Sequence, residues 1–69
     1  MSNFLIAYRK ENGMPEFETQ LNKEAPELNH NKHLIALVEF STAEEVRQIA
    51  YEITTYVLEN INGQAELSY

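Results

Sequence analysis

The sequence predicts an α+β fold, a small three- to four-stranded sheet with one long amphipathic helix packed on one face, in the order β-β-β-α-β. Three observations carry this. Ser41-Thr42-Ala43-Glu44 opens about five turns of periodic apolar residues that close at Asn62-Gly63. Asn12-Gly13 separates two alternating runs, the strongest short-range hairpin signal. The run His33 to Phe40 is apolar on both parities and bounded by polar residues, which suits a covered strand. The chain has 69 residues and forms one domain, 1–69.

In the first run, Phe4 to Arg9, the residues Phe4, Ile6 and Tyr8 alternate with Leu5, Ala7 and Arg9. In the second, Glu16 to Leu21, the residues Phe17, Thr19 and Leu21 oppose Glu16, Glu18 and Gln20. A two-residue turn at Asn12-Gly13 would set Tyr8 opposite Phe17, Ile6 opposite Thr19, Phe4 opposite Leu21 and Arg9 opposite Glu16. That register matches apolar with apolar and cation with anion. Pro15 lacks a ladder donor, so the second strand belongs at a sheet edge.

Asn22 to Lys32 is polar, rich in Asn and broken by Pro26, which reads as a loop. His33 to Phe40 then reads as a central strand, with Leu34, Ala36, Val38 and Phe40 on one face and Ile35 and Leu37 on the other. The rival is a helix from Pro26 through Val38, against which the Asn29-His30-Asn31 stretch and the fresh helix start at Ser41 both speak. In the helix, Ser41 would cap the amide three residues on while Glu44 reaches back. Val46, Ile49, Ala50, Ile53, Val57 and Ile61 form its core stripe. After Gly63, Ala65, Leu67 and Tyr69 alternate with Gln64, Glu66 and Ser68 as a final strand, parallel to the third through a right-handed crossover.

A chain this short buries only about 60% of the surface that its unfolded form exposes. It has no cysteine, so neither disulfides nor thiolate zinc sites add to its stability. Eleven acidic residues, all Glu, against five basic ones give a formal charge of -6. Arg9, Lys10, Lys23, Lys32 and Arg47 are scattered rather than gathered into a stripe, which argues against direct nucleic-acid binding. The acidic field favours instead a protein partner with a basic surface. No apolar run approaches the roughly twenty residues of a membrane span, and Phe4 to Ala7 lacks the basic flank of a signal peptide. A cytoplasmic location is the expectation.

On the solvent side of the helix Glu45, Glu52 and Glu59 recur every seven residues, a ridge with steps of about 10 Å. Lysines at the four-residue spacing that would neutralise it are missing. With Glu16 and Glu18 of the hairpin, this ridge is the candidate partner-binding surface; a merely solvated face is the competing reading. Tyr51 and Leu58 flank the core stripe on one side and Tyr56 on the other, at positions suited either to border packing or to interface anchors. One helix cannot cover both faces of the sheet. Leu5, Ala7, Ile35 and Leu37 should therefore be left for the Asn22 to Lys32 loop, or for a second copy of the chain, to cover, and a homodimer is expected on that ground.

Glu24, Glu27, His30 and His33 follow one another at three-residue spacing. A metal site would need more ligands of stronger type, so these read as ordinary side chains and no metal or other cofactor is expected. Catalysis has little support. Ser2 and Ser68 are terminal, Ser41 serves as a cap, and Gly13 and Gly63 cannot form a phosphate-cradling loop. No enzyme is expected.

In length, acidity and strand-then-helix layout the chain resembles the small inhibitors that phages and mobile elements direct against host or defence proteins, anti-CRISPR-like proteins among them. The resemblance implies an inhibitor or regulator that occupies a basic, nucleic-acid-handling surface of another protein. No motif transfers a residue role. The alternative is a structural homo-oligomer or accessory subunit working through an apolar sheet face.

Overall fold

A computed structural model describes the backbone of residues 1–67 and the side chains of residues 1–60. Three strands, β1 (Ser2–Arg9), β2 (Pro15–Lys23) and β3 (His33–Phe40), precede one helix, α1 (Ala43–Leu67). The strands form an antiparallel sheet in the order β2-β1-β3. The class is α+β, as the residue pattern indicates, and the segment His33–Phe40 is a strand. It is an edge strand, however, because β1 takes the centre. With β2 paired on one side and β3 on the other, β1 is buried from Leu5 through Tyr8. Pro15 opens the opposite edge strand, where its missing donor removes no ladder bond.

The hairpin register differs by one residue from the one that a two-residue turn would give. Tyr8 lies opposite Glu16, Ala7 opposite Phe17, Ile6 opposite Glu18 and Leu5 opposite Thr19. The cause is the turn. Gly13 N–H donates to the Lys10 carbonyl at 2.9 Å, and Lys10 N–H to the Met14 carbonyl at 2.8 Å. Gly13 has φ 89°, whereas Asn12 does not enter the positive-φ region. Instead the Asn12 side chain accepts the Met14 N–H at 2.9 Å. Three residues, Glu11 to Gly13, thus make the connection, with glycine alone in the left-handed position.

That single step reassigns the two faces of β1. Leu5 and Ala7 share a face with Phe17 and Thr19 of β2 and with Val38 and Ala36 of β3. The helix covers this face: Asn3, Thr19, Leu21 and Phe40 line one recess together with Val46 and Arg47 of α1. Ile6 and Tyr8 point the other way, beside Glu18 and Glu16. On β3 the pairing slips between Ala7 and Tyr8, leaving Ile35 as the extra residue of a bulge.

The segment between β2 and β3 covers part of the second face. The Gln20 side chain clamps the Glu27 backbone, accepting its N–H at 2.8 Å and donating to its carbonyl at 2.7 Å. Asn29 N–H donates to the Tyr8 hydroxyl at 2.9 Å. Lys32 Nζ donates to Glu16 Oε1 at 2.8 Å and stands 5.4 Å from the centroid of the Tyr8 ring. These contacts make the polar loop a strap over Ile6 and Tyr8. The loop covers the part of this face formed by β1 and β2, whereas Leu34 and Leu37 of β3 remain 47% and 40% exposed on it.

The helix starts one residue later than the Ser41 cap implies. Thr42 is the cap: its carbonyl accepts the Val46 N–H at 3.3 Å and its hydroxyl accepts the Glu45 N–H at 3.2 Å. Glu45 completes the box by reaching back toward Ser41 N at 3.5 Å. The same four-residue logic therefore operates on Thr42 and Glu45 in place of Ser41 and Glu44. The helix also continues past Asn62-Gly63 to Leu67. An interior glycine costs a helix about 1 kcal/mol, and the strong helix formers Gln64, Ala65, Glu66 and Leu67 follow it. The final strand expected from Ala65 onward, and its crossover, are thus not found among the described residues; Ser68 and Tyr69 lie outside them.

Candidate functional site

Among the described side chains the buried core is drawn mostly from one strand: Leu5, Ile6, Ala7 and Tyr8, with Phe40 and Val57. Of the described side chains in the helix stripe, Val57 alone is fully buried, while Val46, Ile49, Ala50 and Ile53 are half-buried. A narrow three-stranded sheet leaves the flanks of a covering helix in solvent, and those flanks carry the candidate site residues.

Glu45, Glu52 and Glu59 all lie exposed on the outer side of α1, about 10 Å apart along its axis. They are not equivalent. Glu45 is held at the helix start by Ser41, Thr42 and its own cap bond. Glu52 accepts the Gln48 side-chain amide at 3.2 Å. Tyr56, four residues after Glu52 and three before Glu59, stands on the same ridge at 62% exposure. Sequence spacing alone places Tyr56 at the border of the core stripe; its exposure reveals it as a member of the outer face. Arg47 is the only cation in the Ala43–Leu67 helix, against five glutamates.

Glu16 and Glu18 do not join this ridge. They stand on β2 on the strap side of the sheet, across from the helix-covered face. Glu16 is occupied by Lys32, whose ammonium holds its carboxyl below the usual glutamate range through a hydrogen bond and its charge. Reciprocally, the hydrogen bond to Glu16 raises Lys32 above the ordinary lysine value. Glu18 accepts the Gln20 amide at 2.8 Å. Both acids thus sit within the network that secures the strap.

The candidate interface residues separate in the same way. Leu5 and Ala7 are buried under the helix and offer a partner no surface, which corrects their assignment to an open face. The correction follows from the one-residue register. Ile35 is half-buried at the β3 bulge, and Leu37 is 40% exposed on the strap side. Tyr51 and Leu58 are exposed, and their four- and eleven-residue spacing from Arg47, which lines a recess with Thr19 and Leu21 of β2, puts them on the flank toward β2. His30, His33, Glu24 and Glu27 do not converge, and no cluster suited to a metal ion occurs among the described residues. No described helix is long and apolar enough to cross a membrane. The recess between the hairpin end and the strap, which Arg9, Glu16 and Lys32 help to line, is open to solvent.

Compared with known proteins, the chain matches no family model, no curated protein and no solved structure.

Proposed function

We propose that this protein is a binding module, without catalytic chemistry of its own, that docks the outer face of α1 onto a basic surface of another protein. One observation carries the reading: Glu52, Tyr56 and Glu59 form an exposed acidic ridge with an aromatic at its centre, on a helix whose sole cation is Arg47. A helix built only for its own stability would interleave lysines at four-residue spacing and place cations in its last turn. This one does neither. Tyrosine between carboxylates suits a surface rich in arginine, because the ring face attracts guanidinium while the acids pair with it.

Basic surfaces of that kind commonly serve nucleic-acid binding, so occupation by the acidic helix would exclude the nucleic acid and inhibit or regulate the partner. The reading is of an inhibitor or regulator, in keeping with the size and charge of phage and mobile-element inhibitors. The test is the double reversal Glu52→Lys with Glu59→Lys. Glu45 is left intact, because reversing it would damage the helix cap and mix folding with binding. Affinity for the partner should fall on the order of a hundredfold at low salt, as removal and reversal of close charge pairs imply. Undiminished binding would remove the ridge from the mechanism.

A further inference from the structure

The geometry points to a second copy of this chain as the occupant of the open β2 edge, pairing antiparallel about a two-fold axis at Thr19. Three observations support this occupant, independently of the acidic ridge.

The first is the state of the edge. Lys10 and Met14 are a hydrogen-bonded pair, so by alternation Tyr8–Glu16, Ile6–Glu18 and Phe4–Gln20 exchange the ladder bonds. The N–H and C=O groups of Phe17, Thr19 and Leu21 therefore point outward from the sheet. From Pro15 to Leu21 the edge is regular, and its break comes at Asn22, which has φ 55°. The other edge, β3, is interrupted by its bulge at Ile35. An uninterrupted edge is a template for another strand.

The second is register. With Thr19 opposite its own copy, Phe17 meets Leu21 of the second chain and Leu21 meets Phe17. The outward groups then face one another as hydrogen-bonded pairs. On the other face Glu18 meets Gln20, so no two glutamates lie directly opposite. Moving the axis to Glu18 would oppose two carboxylates, and moving it to Gln20 would set Phe17 against Lys23 and break the apolar match.

The third is what stands above that edge. Phe17 is 37% and Leu21 59% exposed on the face that carries the helix. Arg47 lines the same recess as Thr19 and Leu21. Tyr51 and Leu58 follow it at four- and eleven-residue spacing and so share its flank. Because α1 runs antiparallel to β2, four helix residues advance about as far as two strand residues. Tyr51 thus comes level with Thr19, and Leu58 with the Phe17 end of the strand. Two-fold pairing places both helices on one side of a six-stranded sheet and encloses Phe17, Leu21, Tyr51 and Leu58 of each copy. The acidic ridge lies about 80–140° further around α1, away from the second chain.

Sedimentation equilibrium over a concentration series tests this. The mass should rise from the 8.0 kDa of the chain to twice that value. Leu21→Lys and Thr19→Pro should each weaken the association on the order of tenfold or more. Proline at Thr19 removes only an outward N–H, so the far-UV spectrum should stay that of the wild type. In the wild type, amide exchange at Phe17, Thr19 and Leu21 should slow as concentration rises, a readout that needs no variant. A chain that stays at its monomer mass to about millimolar concentration overturns the proposal, as does a dimer that survives both substitutions or leaves those three amides unchanged.

Discussion

The Tyr8 hydroxyl accepts the backbone N–H of Asn29 at 2.9 Å, tying the central strand to the middle of the strap. A phenol on the most buried strand would be costly without a partner, and a loop amide held away from water would be too. Each satisfies the other. The contact explains how a 69-residue chain with only one helix buries both faces of its central strand. Tyr8→Phe keeps the ring and removes the acceptor. It should cost about 1 kcal/mol of stability and speed exchange of the Asn29 amide, leaving the helix amides in step with global stability. An unchanged Asn29 amide would show that the strap is held by other means.

Leu5 and Ile6 are adjacent and face opposite ways, yet both are fully buried. Leu5→Ala and Ile6→Ala should each destabilise by about 2–5 kcal/mol, enough to unfold much of so small a domain. Denaturant titration checks this. A sheet with one bare face would tolerate one of the two substitutions.

The Glu16–Lys32 pair fixes the far end of the strap and gives it a pH window. The Glu16 carboxyl is lowered by the Lys32 hydrogen bond and charge, so its contribution is present above the ordinary glutamate range and is lost as pH falls through its depressed value. Lys32 is raised by Glu16, so its contribution is present below the ordinary lysine range and is lost as pH rises through its elevated value. The pair is solvated, and its effect on global stability should be small. The difference in urea midpoint between wild type and Glu16→Gln should be constant near neutrality and vanish in acid. A difference that persists well below the glutamate range would contradict the ion pair as its source.

At the helix start, Thr42→Ala should cost about 1 kcal/mol and Ser41→Ala markedly less, because the Thr42 hydroxyl accepts the Glu45 amide. Thermal melts followed by circular dichroism distinguish the two. Equal losses would place the cap on both residues.

Elements whose signals are local were legible in the sequence. The hairpin followed from Asn12-Gly13, the edge position of β2 from Pro15, the third strand from its flanking polar residues, and the helix from its stripe and cap. What escaped depended on one residue of geometry or on distant contacts. Asn12 was free to bond Met14 through its side chain instead of entering the left-handed region, and that choice turned Leu5 and Ala7 toward the helix. Cap boxes built on Ser41 and on Thr42 overlap in sequence, and only the backbone decides between them. The strap rests on Gln20, Tyr8 and Lys32, polar groups whose partners lie 7 to 21 residues away. Of the candidate site, the seven-residue spacing of Glu45, Glu52 and Glu59 was readable. The prior engagement of Glu16 and Glu45, and the exposure of Tyr56 between Glu52 and Glu59, were not.

The acidic ridge of α1 is tested most directly by affinity capture from a lysate of the host organism, using the wild-type chain and the Glu52→Lys, Glu59→Lys variant side by side. Capture is made at low salt and eluted with rising salt, the bound protein is identified by mass spectrometry, and its binding is then measured in purified form. A basic, nucleic-acid-handling protein should bind the wild type, release steeply as ionic strength rises, and fail to bind the variant. A partner that binds both chains alike, with no dependence on salt, would contradict the ridge as the binding surface.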